Sequence, residues 1–159
     1  MPRMAGKHAV MEMLKSEGVE YIFGNPATTE TPLMDALESH PEIKYMLTVQ
    51  EGVAMGMADA YGRASGSPSF VNLHIETGLA NGISLLHNAY EGGSPIVLTA
   101  CNKDVRELAH GRSDLAELTR QFTCEKAIAM KSSSMKCFLI SYMKTTLGLC
   151  VSMTHTVYI

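Results

Sequence analysis

Short apolar runs alternate with longer segments of helical periodicity, and this alternation constrains the fold more than any other feature. The runs VEYIF, KYMLTV, SFVNLH and PIVLTA are five or six residues long, the usual length of a strand. Between them, apolar residues recur every three or four positions, as in TGLANGISLLHNAYEG, which is typical of helices. Strands connected through helices pair in parallel. The pattern therefore predicts an α/β fold, with a parallel sheet covered by helices on both faces.

Composition and charge fit one compact domain and disfavour two classes of partner. A chain of 159 residues can bury roughly two thirds of its unfolded surface. The formal net charge is −3, so we expect no nucleic acid partner. No apolar run reaches the roughly 18 residues of a membrane span, and the N-terminus has charges where a signal peptide is apolar. We therefore expect a cytoplasmic protein without a membrane partner, and its widely spaced cysteines should be reduced thiols.

The composition changes near residue 126, which predicts a boundary. All 16 acidic residues precede Lys126, whereas residues 126–159 contain four lysines and no proline. We predict a domain over residues 1–125 and an atypical tail over residues 126–159. Just before the boundary, residues 101–114 suggest a charged loop, and the pattern LAELTRQFTCEKAIA predicts a helix over residues 115–129.

Loops at the carboxyl ends of the strands are the candidate ligand sites, because α/β sheets bind ligands there. The first, FGNPATTE, has a glycine turn followed by Asn25, Pro26 and threonines that would cap a helix. A turn and a helix cap explain it without a ligand. It matches neither G-x-G-x-x-G nor a Walker A motif. The sequence also lacks the G-x-S-x-G and H-E-x-x-H motifs of hydrolases.

Glu51 stands at the second of these loops. It follows KYMLTV, which reads as a buried strand, and it begins a helix with Gly52, Gly56 and Ala60 at every fourth position. Small residues at that spacing allow another backbone to approach closely. An acid at a helix start is often a surface residue that interacts with the helix dipole. Here we expect burial to raise the pKa of the Glu51 carboxyl, which would suit proton exchange.

His74 stands at the third loop, in NLHIETGLANG, where it ends a strand before Thr77 and Gly78 begin a helix. A histidine at a strand end is more often a hydrogen-bonded structural residue than a catalyst. Parallel strands, however, bring His74 and Glu51 to one edge of the sheet. His74 is therefore a candidate for the same site.

Taken together, these segments resemble a known family. GVEYIFGNPATTETPLMDAL, LTVQEGVAMGMADAYGRASGSP and FVNLHIETGLANGISLLHNAYEGGSPIVLTA are similar to the N-terminal pyrimidine-binding domain of thiamine-diphosphate-dependent enzymes. The similarity covers roughly residues 5–123 and is strongest to the benzoylformate decarboxylase and acetolactate synthase branch. It implies the thiamine-diphosphate-binding fold, incomplete at the C-terminus, in a 2-keto acid decarboxylase or carboligase.

The resemblance also implies roles for individual residues. A glutamate at the position of Glu51 hydrogen-bonds N1′ of the cofactor's aminopyrimidine, where proton exchange activates thiazolium C2 for attack on the 2-keto acid. His74 would be the second catalytic residue and would contact substrate together with Thr28. The remaining implied cofactor-binding or interface positions are Asn25, Pro26, Ala27, Thr77, Gly78 and Asn81, with Ala27 replacing a glycine common in the family.

Two departures from the family limit what the resemblance implies. The Gly-Asp-Gly motif of the diphosphate-binding domain, which holds magnesium, does not occur, and the family pattern stops after Thr123. We therefore expect a fragment or an altered reading frame, inactive alone, that pairs as a homo- or hetero-dimer with a diphosphate-binding domain in trans. One alternative is a subunit of a split two-chain enzyme similar to sulfopyruvate decarboxylase. The other is a noncatalytic interaction protein that keeps the family's dimerising surface.

Overall fold

The computed structural model describes residues 4–101, Leu118, Thr119 and Gln121, and the backbone of residues 128–129 and 137–142. Helices and strands alternate through residue 101, as the sequence predicts. The helices are α1 Gly6–Ser16, α2 Thr31–Ala36, α3 Glu51–Ser65 and α4 Ile75–Gly92, with a 3-10 turn at Leu37–Ser39. The strands are β1 Tyr21–Gly24, β2 Lys44–Leu47, β3 Ser69–Leu73, β4 Ile96–Cys101, β5 Ile128–Ala129 and β6 Cys137–Tyr142.

The first four strands form the predicted parallel sheet. The strand order is β2-β1-β3-β4-β6-β5, and β1 pairs in parallel with both β2 and β3, as β3 does with β4. Parallel pairing places the carboxyl ends of these strands side by side, and they form the edge of the sheet at which the site described below lies. The loops that follow β1, β2 and β3 therefore meet there.

Helices cover both faces of the sheet, as predicted, because neighbouring strand residues point to opposite sides. In β1, Ile22 packs with Met11 and Leu14 of α1, whereas Phe23 packs on the side of α3 and α4. The central strands β3 and β4 are buried throughout. The sheet is therefore held between two apolar layers, and these fix the positions of the loops at its edge.

The prediction of a buried second strand is wrong. β2 lies at the edge of the sheet, and the apolar run that it begins is exposed, with Leu47 72% and Val49 93% accessible. A short apolar run looks the same in sequence whether it becomes a central or an edge strand, because strand order is decided by contacts distant along the chain.

Two strands extend the sheet beyond β4, and they are not in the predicted pattern. β6 pairs antiparallel with β4, and β5 pairs antiparallel with β6. The helix prediction for residues 115–129 is wrong at its end, where Ile128–Ala129 is a strand. Pairing with β6 covers backbone groups that β4 would otherwise expose as an edge strand. The predicted loop at 101–114 lies outside the described residues except for Cys101, and the boundary at residue 126 stays a prediction.

Cys101 is a buried thiol that forms no disulfide within the described residues, as the cysteine spacing predicts. The side chains of the other three cysteines lie outside the described residues. In the described part of the chain, no helix combines the length and apolarity needed to cross a bilayer.

Candidate functional site

The site lies where the ends of β1 and β3 meet the beginnings of α3 and α4. Asn25 follows β1, Glu51 is the first residue of α3, and His74 is the N-cap of α4. Gln50 caps α3, because its side-chain oxygen accepts a hydrogen bond from the Val53 N–H at 3.0 Å. The sequence prediction that Glu51 and His74 share one edge of the sheet follows from this parallel topology.

Glu51 is buried and hydrogen-bonded through both carboxylate oxygens. Its exposed fraction is 9%. Asn25 donates through Nδ2 to Oε1 at 3.2 Å, and Asn81 donates through Nδ2 to Oε2 at 3.0 Å. A methyl group at Gly78 would lie 3.3 Å from Cγ of Glu51, so the glycine gives the carboxylate its space. Asn25, Gly78 and Asn81 thus lie around Glu51, although the sequence did not show that they contact it.

The expected rise in the pKa of Glu51 is wrong for this chain. Burial does act to raise the pKa of the carboxyl, but hydrogen bonds from Asn81, from the backbone at the helix start and from Asn25 outweigh it. The nearby His74 acts in the same direction, and the pKa lies below its ordinary value. The predicted rise included the effect of desolvation but not the hydrogen bonds from the two amides. Glu51 is therefore an ionised hydrogen-bond acceptor at neutral pH.

The lowered pKa of Glu51 predicts a pH-dependent difference in stability. Because the folded pKa is below the unfolded one, the ionised carboxylate stabilises the fold at neutral pH, and this contribution is lost as pH falls through the folded pKa. Wild type should therefore lose more free energy of unfolding than Glu51→Gln on acidification from about pH 6 to about pH 3. Urea denaturation at several pH values measures this difference.

Asn81→Ala is the matched variant for this experiment. It removes one hydrogen-bond donor to Glu51, which should raise the pKa of the carboxyl. On acidification, this variant should therefore start to lose stability at a higher pH than wild type does. A difference between wild type and Glu51→Gln that stayed constant across the range would contradict the assignment of the lowered pKa.

His74 lies in a second hydrogen-bonded group at the same edge. Its Nδ1 is 3.1 Å from Oε2 of Glu30 and 3.0 Å from Oγ1 of Thr29. The Glu30 carboxylate also accepts from the Ala27 N–H at 2.8 Å and from the Thr29 hydroxyl at 2.5 Å. Glu30 is only 2% exposed. This group connects the first and third loops through side chains.

Glu30 and Thr29 are not among the site residues predicted from the sequence. The sequence predicts that the threonines of TTET cap a helix, whereas Glu30 occupies the N-cap of α2 and no side chain caps the helix. Proline in the first turn of α2 marks residue 30 as a loop position. An acidic residue at that position, in the candidate loop FGNPATTE, is the sequence signal that could have identified Glu30 as a site residue.

The other predicted residues lie in the same two loops. Pro26 is half-buried, and Ala27 and Thr28 are exposed. Thr77 is exposed on the first turn of α4. Ala27 contributes its backbone N–H to the Glu30 carboxylate, and the roles of these residues toward cofactor and substrate stay predictions.

Two buried polar atoms lie behind the first loop. Within the part of the chain that the structure describes, the Tyr45 hydroxyl and Oδ1 of Asn72 have no hydrogen-bond partner. Burial raises the pKa of Tyr45, and the charge of Glu30 adds to that effect. A side chain at Gly24 would collide with the Tyr45 hydroxyl and with the backbone oxygen of Asn72. Glycine is therefore required where β1 enters the loop.

A shallow groove of about 650 Å³ runs between α3 and α4, and Gln50, Gly52 and Asn81 are among the residues that line it. A methyl group at Gly52 would lie 3.4 Å from the backbone oxygen of Asn81, and one at Gly56 would lie 3.3 Å from Leu85. The prediction that small residues on this face let another backbone approach closely is confirmed at Gly52, where the backbone of α4 is the neighbour, whereas Gly56 meets a side chain. Across the described ranges, no three His, Cys, Asp or Glu side chains are grouped so as to hold a metal ion.

Comparison with known proteins identifies relatives over this same part of the chain. The family model "Thiamine pyrophosphate enzyme, N-terminal TPP binding domain" matches residues 4–122. Benzoylformate decarboxylase of Pseudomonas aeruginosa is 40% identical over 111 residues, which cover 69% of this chain and 20% of the relative. Acetolactate synthase large subunit of Haemophilus influenzae is 33% identical over 98 residues, covering 62% of this chain and 17% of the relative.

A solved structure shares the fold. It is the thiamine diphosphate-dependent 4-hydroxybenzoylformate decarboxylase of Rhodococcus jostii RHA1, with a TM-score of 0.67 and 28% sequence identity. The match covers 76% of this chain and 23% of that one. The chain therefore spans about a fifth of the length of the relatives that it matches.

Proposed function

The chain belongs to the thiamine pyrophosphate enzymes, as their N-terminal TPP-binding domain, and from this premise we propose that it supplies the pyrimidine-binding half of a 2-keto acid decarboxylase or carboligase. In this proposal Glu51 is the residue that contacts the cofactor's aminopyrimidine and exchanges a proton with it. His74 and Thr28 contact the 2-keto acid. The relatives include both decarboxylases and acetolactate synthases, and the proposal covers both reactions.

The geometry of Glu51 is the observation that carries the proposal. A buried carboxylate is costly unless hydrogen bonds compensate it, and here two amides hold it at the ligand-binding edge of the sheet. A carboxylate has about four acceptor positions, so each oxygen can accept another donor beside its amide. Glu51 is thus fixed in orientation and still able to bind a nitrogen that carries a proton.

The residues around Glu51 hold its carboxylate in place for the aminopyrimidine. Gly78 leaves room for the Glu51 side chain itself, and Asn25 and Asn81 donate hydrogen bonds to its two oxygens. When bound, thiamine diphosphate supplies the electron sink for cleavage of the bond to the keto acid's carboxylate. Glu51 would accept and return the proton at N1′, as an acid–base group positioned in advance of the reaction.

The diphosphate and its magnesium ion would be held by a second, diphosphate-binding domain in trans. Covering the site with that domain would remove water from Glu51 and raise its pKa from the lowered value that it has here. This would bring the carboxyl closer to the pKa that proton exchange requires. We propose that the two domains meet in a homo- or hetero-dimer in the cytoplasm, and the split two-chain enzyme is one form of this arrangement.

Calorimetry tests whether the chain is half of a cofactor site. We expect thiamine diphosphate with magnesium to bind weakly to the full chain alone. The second protein is the Pseudomonas aeruginosa relative made without its own N-terminal domain. The cofactor should bind to a mixture of this protein and our chain at least about tenfold more tightly than to our chain alone, a gain of about 1.4 kcal/mol. Those remaining domains alone are the control.

Either of two outcomes would contradict the half-site proposal. One is tight binding of the complete cofactor to this chain alone, and the other is no gain in affinity in the mixture although the two proteins associate. The second outcome would favour a noncatalytic interaction protein. The exposed apolar side chains of Leu47, Val49 and Val53, beside the start of α3, are the observation that supports that alternative.

A further inference from the structure

The hydrogen bonds around Nδ1 of His74 determine which ring nitrogen carries the proton. Nδ1 lies 3.1 Å from a carboxylate oxygen of Glu30 and 3.0 Å from the hydroxyl oxygen of Thr29. An ionised carboxylate has no proton to donate. The Thr29 hydroxyl has only one, and it is directed to the other oxygen of Glu30 at 2.5 Å. Both neighbours of Nδ1 are therefore acceptors.

From this proton count we propose that Glu30 is a positioning residue which, with Thr29, holds His74 in the Nδ1–H tautomer and presents Nε2 as an acceptor to the ligand. In the neutral ring the Nε2 lone pair can accept a hydrogen bond or a proton from a bound molecule. His74 would donate from Nε2 only after taking up a second proton there. The part of this inference that concerns a 2-keto acid substrate rests on the proposed function, but the tautomer does not.

The burial of Glu30 makes this arrangement rigid. Its side chain has no exposed surface, and the Ala27 N–H holds Oε2 at 2.8 Å. The ring of His74 is 26% exposed, so one side of the pair is fixed inside the protein while the other can reach a ligand. A carboxylate that orients a histidine through Nδ1 is an arrangement that enzymes use to set the histidine's tautomer.

The backbone beside His74 is strained, as expected if surrounding contacts hold this residue in place. Ile75 has a φ of 38°, which is unfavourable for a β-branched residue. Such strain persists only where surrounding contacts enforce it, and it occurs often at functional sites. Here the strained residue follows directly after the histidine that Glu30 and Thr29 hold.

Nitrogen NMR of the full chain tests the tautomer directly. With ¹⁵N-labelled histidine, the ring signals of His74 are assigned by their loss in His74→Gln, and their shifts and couplings to ring protons at neutral pH distinguish Nδ1–H from Nε2–H. We expect the Nδ1–H form to dominate in wild type. In Glu30→Gln the ratio of Nδ1–H to Nε2–H should fall about fivefold or more, because a charged acceptor is replaced by a neutral amide.

Glu38→Gln is the matched control, since Glu38 is an exposed acid in the 3-10 turn after α2. It should leave the His74 signals unchanged. A wild-type ring in the Nε2–H form would overturn the inference even if Glu30→Gln failed to fold, and so would an unchanged ratio in a folded Glu30→Gln variant. No cofactor is added, so this result is independent of whether Glu51 activates thiamine diphosphate.

Discussion

Replacing Glu51 with glutamine should slow exchange of the C2 proton of thiamine diphosphate by about 10²- to 10⁴-fold, the usual contribution of a positioned acid–base group. The rate is measured by proton NMR in deuterium oxide, with this chain, magnesium and the remaining domains of the Pseudomonas aeruginosa relative. Glutamine keeps the size of the side chain and one acceptor oxygen but cannot take up a proton. Glutamine keeps the shape of the side chain, but its NH2 group replaces one of the two oxygens that accept from Asn25 and Asn81, so cofactor binding is measured beside the exchange rate.

Glu91→Gln provides the control for this experiment, because Glu91 is an exposed acid near the C-terminal end of α4. Its exchange rate should equal that of wild type. Calorimetry on both variants separates a loss of activation from a loss of binding. If Glu51→Gln bound the cofactor and kept the wild-type exchange rate, Glu51 would have no part in the mechanism.

Gly24→Ala should destabilise the fold by about 1 to 3 kcal/mol, the usual cost of overpacking. Its methyl group would collide with the Tyr45 hydroxyl and with the backbone oxygen of Asn72, and a backbone atom in a buried strand cannot move aside easily. Because Asn25 follows directly, the shift should also weaken its bond to Glu51. The midpoint of urea denaturation measures the loss of stability.

Gly56→Ala is the matched substitution on α3. Its methyl group would meet the flexible end of Leu85 at 3.3 Å, and alanine is favoured over glycine in a helix by about 0.5 to 1 kcal/mol. We expect its midpoint to equal or exceed that of wild type. Equal midpoints for Gly24→Ala and wild type would show that the end of β1 has more room than the structure indicates.

The sequence predicted the arrangement of the first hundred residues because local and global signals agree there. Strand length, helical periodicity and the apolar character of both faces of β3 and β4 all indicate a parallel sheet between helices. Exposure of β2 and the antiparallel strands β5 and β6 were not predictable in this way. They depend on which strands become neighbours, and the sequence of a short apolar run does not indicate its neighbours.

The candidate site was predicted in its positions but not in its contacts. Glu51 and His74 could be placed at one edge because the ends of parallel strands meet there. The direction of the pKa shift of Glu51 could not be predicted from the sequence. It depends on hydrogen bonds from Asn25 and Asn81, which lie 26 and 30 positions away along the chain. Glu30 was missed for the same reason, since only its contact with His74, 44 residues away, distinguishes it from an ordinary loop acid.

The most direct test of the central claim is the C2 proton exchange rate with and without the wild-type chain. The remaining domains of the Pseudomonas aeruginosa relative, with thiamine diphosphate and magnesium, should exchange slowly by themselves. Adding this chain should accelerate exchange in a saturable way, because it brings the Glu51 carboxylate to the cofactor. Equal rates with and without the chain, under conditions where calorimetry shows the complex to be formed, would contradict the assignment of this chain as the pyrimidine-binding half of the site.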